Sequence, residues 1–326
     1  MVIVFSATKG LSALAMGLAH SRGLFDYDER IPKYWPEFAQ RGKGEITIRQ
    51  LLAHQAGLFA FDEQGDKSIP ADLDRLAVIL ARQKPAWEPG TQQAYHAITL
   101  GYYQSELLRR VDPKGRTVGQ YFQDEIATPL GLDFYIRLPE EIPNSRLATL
   151  RLAKFDVSAM FKVPISFLLS AMNPRSAIRK ALVGNLFALD KDRVYDRNFE
   201  VPSGAGVGTA RAIAHAYSVF ATGGKELRLR GGTLRQLMAP PVTPPKGFRD
   251  KFIRVEIPFS LGFMKPSPFG SPGSFGAPGW GGSFGFADPH AEIGYGHVLN
   301  GMGTRLVDPR DLALRTAMYH SMGENY

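Results

Sequence analysis

The chain has 326 residues, 44% hydrophobic and 21% charged, enough to bury a full core in one large or two domains and too apolar for extended disorder. It contains no cysteine, which excludes a disulfide framework, a thiolate nucleophile and a cysteine-ligated metal. The formal net charge is +8, but the basic residues are dispersed, with loose groups only at Arg175–Lys180 and Lys246–Arg254 and no interleaved aromatics, so nucleic acid is not expected as a partner.

The opening Met-Val-Ile-Val-Phe is apolar from its first residue and lacks the basic stretch and cleavage site of a signal peptide, which favours a cytoplasmic location. From Ser6, Ala7, Leu11, Leu14, Ala15 and Leu18 share one helical stripe, and Gly23 closes the element as a C-terminal cap, predicting a buried helix. A second helical unit, Ile48 to His54, follows the start signal Thr47 and stops at Gly57. The loop Trp87-Glu88-Pro89-Gly90-Thr91 then leads into a helix expected from about Tyr95 to Arg110.

Between Pro139 and Asp196 the pattern is helical but broken by Pro143, Pro164 and Pro174, as in a variable region that walls a substrate site. Its apolar run Val157 to Met172 is interrupted by Lys162 and Pro164 and falls short of the roughly 18 residues a spanning helix needs. Gly204-Ala205-Gly206-Val207-Gly208 reads as a loop opening a helix from Thr209 to Phe220, with Thr209 as N-cap. After residue 250 come short alternating segments at Phe259–Met264, Gly282–Ala287 and Ile293–Leu299, which predict an antiparallel sheet. Asp308-Pro309 starts a last helix. The pattern is an α/β chain of the α+β type, with residues 1–10 and 250–326 forming the sheet region and 11–249 a mainly helical one. The sheet's remaining strands are expected from the N-terminus, where only five residues precede Ser6.

Ser6 and Lys9 stand three residues apart, one turn along a helix, so hydroxyl and amine can face one point. A serine hydroxyl needs a base within reach, and a desolvated lysine can be that base. The start of a helix also offers unpaired N–H groups to an oxyanion.

With this first motif, Phe5-Ser6-Ala7-Thr8-Lys9-Gly10, the chain carries Leu51-Leu52-Ala53-His54-Gln55-Ala56-Gly57-Leu58, Trp87 to Thr91, Tyr95-His96-Ala97 and the glycine-rich Gly276 to Gly282. In that order these segments resemble the serine β-lactamase and penicillin-binding-protein superfamily, in particular the class C β-lactamase-like family VIII carboxylesterases. The resemblance implies a β-lactamase-like fold, an antiparallel sheet flanked by helices with a mainly helical insertion. It also implies Ser6, Lys9 and Tyr95 as catalytic residues, with the backbone N–H groups of Ser6 and Trp280 as the oxyanion hole. The superfamily's third motif, a Lys or His two residues before a Gly, corresponds here to Ala277-Pro278-Gly279, and Ala97 stands where lactamases commonly carry an amide-contacting asparagine. Both departures remove polar recognition and favour a neutral ester, with His96, Ala277, Gly279 and Trp280 lining its site. Relatives carry a helix and two strands before the first motif, so an open edge at Ile293–Leu299 is expected, covered by a loop or a second copy of the chain.

A rival motif is Gly281-Gly282-Ser283-Phe284-Gly285, which fits a nucleophile elbow only if a helix follows Ser283, and the residues there read as a strand. His54 reads as a structural hydrogen-bonding residue and His297 as surface or core. Asp156, Asp190, Asp192 and Asp196 read as solvated charges. No spacing calls for a metal and no cofactor is expected. The expected reaction is hydrolysis of a short-chain carboxylic ester through an acyl-enzyme on Ser6. The alternatives are a β-lactamase or D-alanyl peptidase-like amide hydrolase, and a catalytically weak relative used for binding or assembly.

Overall fold

The computed structural model describes residues 1–61, 69–151, 169, 172–173, 176–183, 195–266, 270–304 and 308–323. A single turn of 3₁₀ helix, Phe5–Ala7, runs directly into α1, Thr8–Ser21. The five stripe residues Ala7, Leu11, Leu14, Ala15 and Leu18 have no exposed surface, and the rest of α1 is nearly as enclosed, so this is a central helix. Burying one such leucine contributes about 1.5–3 kcal/mol. The end is as the glycine predicts: Gly23 adopts φ +77°, and its N–H bonds to His20 O. Helix α2, Ile48–Leu52, is shorter than expected but opens on a full capping box between Thr47 and Gln50.

Five strands form the main antiparallel sheet in sequential order. Counting the N-terminal strand Val2–Ile3 as β1, Phe134–Tyr135 as β2 and Val207–Gly208 as β3, they are β4 Phe259–Ser260, β5 Phe263–Met264, β6 Phe275–Pro278, β7 Phe284–Asp288 and β8 Ile293–His297. Strand period decides what lies on each face. On one face, Gly294 and Gly296 of β8 have no room for a Cβ against the backbone of helix Ala210–Ala221, so helix and strand meet backbone to backbone. On the other face, Phe284, Phe286, Ile293 and Tyr295 pack with Tyr319 and Met318 of the last helix, Pro309–Ser321. Both helices start on the predicted caps: Thr209 Oγ1 accepts from Ala212 N–H, and the Asp308 carboxylate from Arg310 N–H. Strand β8 ends the sheet order.

Three expectations are corrected. The N-terminal residues do not extend the main sheet: Val2 and Ile3 pair with Gly208 and Val207, which also pair with Phe134 and Tyr135, making a separate three-stranded sheet. Residues 207–208, read as loop, are therefore its central strand. The helix expected from Tyr95 begins at Thr99, because the pair that would extend it upstream is diverted: Ala97 O accepts from Lys9 Nζ and Gly101 N–H donates to Ser203 Oγ. The wall expected between Pro139 and Asp196 lies largely outside the described residues, as do Asp156, Asp190 and Asp192 and all of Val157–Met172 except Leu169 and Met172.

Candidate active site

The turn carrying Ser6 is held from three sides. Phe5 sits at φ +47°, a left-handed conformation that costs a non-glycine residue about 1–3 kcal/mol and persists only where its surroundings enforce it. Val4 N–H bonds to Gly206 O, Thr8 Oγ1 donates to Phe5 O, and Gly206 N–H donates to Thr8 Oγ1. Ser6 is thereby left half-buried at the mouth of α1.

Lys9 is 3% exposed. Its Nζ donates to the Ser6 hydroxyl at 3.2 Å, to Ala97 O at 2.6 Å and to Ser203 O at 2.8 Å. These contacts satisfy all three N–H groups of an ammonium. In the neutral amine the two carbonyls take both N–H groups, and the lone pair is left facing Oγ, whose own O–H then donates. Burial holds the Lys9 pKa well below the ordinary lysine value and so favours the neutral form. An amine in that state can accept a proton from Oγ.

Tyr95 reaches the same point from the loop before the helix that starts at Thr99. Its phenol comes close enough to Ser6 for that side chain to lower its pKa, and its ring centroid lies 4.7 Å from Lys9 Nζ. Burial pushes the phenol pKa up, against the smaller lowering effect of Ser6, so the phenol keeps its proton at neutral pH. Stacking on Phe259 and contact with His54 fix the ring. Asp250 fixes the backbone: Oδ2 accepts from Tyr95 N–H at 2.6 Å, while Oδ1 accepts from Phe252 and Ile253 N–H.

Strand β6 closes the site. A Cβ on Gly279 would run into Val4 O and come within 3.1 Å of Ala7 N, so only glycine lets the strand end seat on the turn that carries Ser6. Phe5 and Trp280 meet edge to face, with centroids 5.5 Å apart. Among the described residues the Trp280 N–H has no hydrogen-bond partner, and Ser6 N–H belongs to the first turn of a helix, where intrahelical acceptors are missing. Ser6, Lys9, Tyr95, Ala277, Gly279 and Trp280 all line one cavity of about 280 Å³, whose other walls include Ile253, Ile257, Phe259 and Met264. At Ala277, 5% exposed, the cavity wall has a methyl group and no cation. Trp280 is 69% exposed, so it stands at the mouth.

A family model described as Beta-lactamase matches residues 1–317. The chain belongs to that family. Over 326 residues it is 30% identical to the esterase/beta-lactamase LipL of Mycobacterium tuberculosis (strain ATCC 25618 / H37Rv), a match that covers 98% of this chain and 73% of that protein. The crystal structure of a family VIII carboxylesterase is similar at TM-score 0.83 and 33% identity, over 98% of this chain and 83% of the other. EstA from Arthrobacter nitroguajacolicus Rue61a is similar at TM-score 0.83 and 32% identity, over 98% and 84%. The fold is thus the β-lactamase-like one that the motif order implied.

Within this family member, the fold brings six of the seven site residues read from sequence to one cavity, and His96 is the exception. His96 is sealed behind His54: its N–H donates to His54 Nδ1, its Nε2 accepts from Leu58 N–H, and burial lowers its pKa to about 3. His54 is the one that lines the cavity, while also making the structural bond expected of it. Its backbone sits at φ +60°. Asp250 was hidden in a basic stretch, and the carbonyls of Ala97 and Ser203 carry no side-chain signal at all. Ser283 lies in the hairpin between β6 and β7, is followed by a strand, and does not line this cavity.

Proposed function

We propose that this Beta-lactamase family member hydrolyses short-chain, neutral carboxylic esters through an acyl-enzyme on Ser6. The observation that carries the reading is the pair of carbonyls on Lys9, which leaves the buried amine a lone pair only toward Ser6 Oγ. Neutral Lys9 takes the Oγ proton as the hydroxyl attacks the ester carbonyl. The N–H groups of Ser6 and Trp280 receive the oxyanion. Tyr95, protonated, gives its proton to the departing alcohol and is recharged from the Lys9 ammonium. Water then attacks the acyl-enzyme, losing its proton to the same pair, and Ser6 recovers its own as the acid leaves. Relatives named as esterases support the substrate class, as do Ala277 and Ala97, which offer no side-chain contact to a carboxylate or an amide.

The test is a butyrate ester and a chromogenic cephalosporin assayed with the parent, Ser6→Ala and Ser283→Ala proteins. Ester hydrolysis is expected in the parent and in Ser283→Ala and absent in Ser6→Ala. Retention in Ser6→Ala would sink the assignment, and cephalosporin turnover rivalling the ester would shift it to a lactamase.

A further inference from the structure

The second loose basic group of the sequence lines a cleft in the fold. This cleft of about 500 Å³ is bounded by Ser176 and Ile178 on one side and by Lys246, Arg249, Lys251 and Arg254 on the other. Among the described residues none of these four cations pairs with a carboxylate. Among the described residues Asp250 is the one acid lining the cleft, and its oxygens are engaged by the N–H groups of Tyr95, Phe252 and Ile253. Like charges gathered in water repel by up to about 1 kcal/mol per pair, and an oxyanion in their midst turns that repulsion into charge-assisted hydrogen bonds.

The cleft and the ester cavity share a thin wall. Ile253 lines the cavity and Arg254 the cleft, and consecutive Cα atoms are about 3.8 Å apart. The basic loop is also tied to the segment that leads to Tyr95: Lys246 N–H bonds to Thr91 O and Lys251 N–H to Gln93 O, and Gln92 between them lines the cleft. Ala277 puts a methyl group rather than a cation in the wall of that cavity, whereas this loop carries four cations into the cleft. We propose that the cleft is a subsite for an oxyanionic group, a phosphate, sulfate or carboxylate, carried at the far end of an ester that is neutral around its reacting carbonyl. The proposal rests on the ester-hydrolase reading.

Two measurements test it, on the parent and on an Arg249→Gln/Arg254→Gln variant. The first is calorimetric titration with inorganic pyrophosphate, which needs no turnover. The second is KM for ester pairs of several lengths that differ only in a terminal carboxylate, on the acyl or the alcohol side. The expected result is pyrophosphate affinity lower in the variant by about tenfold and weakened by salt, with KM raised about as much for an anionic ester and unchanged for its neutral partner. Pyrophosphate binding that is absent or equal in both proteins overturns the proposal, as does an ester series in which charge makes no difference. If no ester is turned over, the hydrolase reading fails, and the titration alone decides the cleft.

Discussion

The carbonyl oxygen of Ala97 accepts a hydrogen bond from Lys9 Nζ at 2.6 Å, across 88 positions of sequence. Alanine at this position removes a polar side chain that lactamases commonly present, yet the main chain still holds the amine. The contact is therefore indifferent to the side chain. Ala97→Asn is expected to keep ester turnover within a few-fold of the parent in a steady-state assay, and loss of the reaction in that variant would show that the carbonyl's position depends on alanine.

On the proposed mechanism, removing the Lys9 amine or the Tyr95 phenol should leave binding largely in place and slow the chemistry. Lys9→Ala and Tyr95→Phe are each expected to lower kcat about 10²- to 10⁴-fold. Fluorophosphonate labelling of Ser6 should slow in parallel with Lys9→Ala. Unchanged kcat in either variant would remove that residue from the mechanism.

Lys9 must be neutral to accept a proton, so kcat/KM should rise with pH through its lowered pKa and fall only where Tyr95 ionises, above its ordinary value of 10.0. The rising limb belongs well to the acid side of 10.5. Stability follows the same group. Unfolded lysine keeps its proton up to its ordinary value while folded Lys9 has already lost it, so the unfolded state binds more protons in that window and stability rises with pH there. A Lys9→Met protein should show a flatter dependence of its thermal midpoint. A rising limb at the ordinary lysine value would contradict the neutral amine.

Gly279→Ala places a methyl group against Val4 O and Ala7 N. Relieving that clash should cost about 1–3 kcal/mol in chemical denaturation and pull the Trp280 N–H from the oxyanion, lowering kcat more than it raises KM. Wild-type kinetics in this variant would refute the close seating of β6.

Asp250→Ala orphans the N–H groups of Tyr95, Phe252 and Ile253, each at about 1–3 kcal/mol where it stays buried. The freed loop should lower kcat while Ser6 still labels. Asp250→Asn keeps an acceptor oxygen and should restore much of both stability and rate. Equal defects in the two variants would mean that the charge, not the hydrogen bonds, positions Tyr95.

Much of this architecture was legible because its causes are local. The spacing of Ser6 and Lys9 is one helical turn, the stripe from Ala7 to Leu18 is a helical period, and Thr47, Thr209 and Asp308 cap helices with their own side chains. Other features were settled by distant partners. Tyr95 stays outside the helix because Ala97 O and Gly101 N–H bond to Lys9 and Ser203 instead of to each other, and His54 faces the cavity while the adjoining motif residue His96 is shut behind it. Val2 and Ile3 join Val207 and Gly208 rather than the main sheet, a choice their own pattern does not encode.

The sequence by itself determined the helix that aligns the Ser6 hydroxyl with the Lys9 amine, since periodicity and capping act within a few residues. Only the tertiary structure decided which main-chain oxygens hold that amine. Every residue carries a carbonyl, so no side chain announces that those of Ala97 and Ser203 will converge on Lys9.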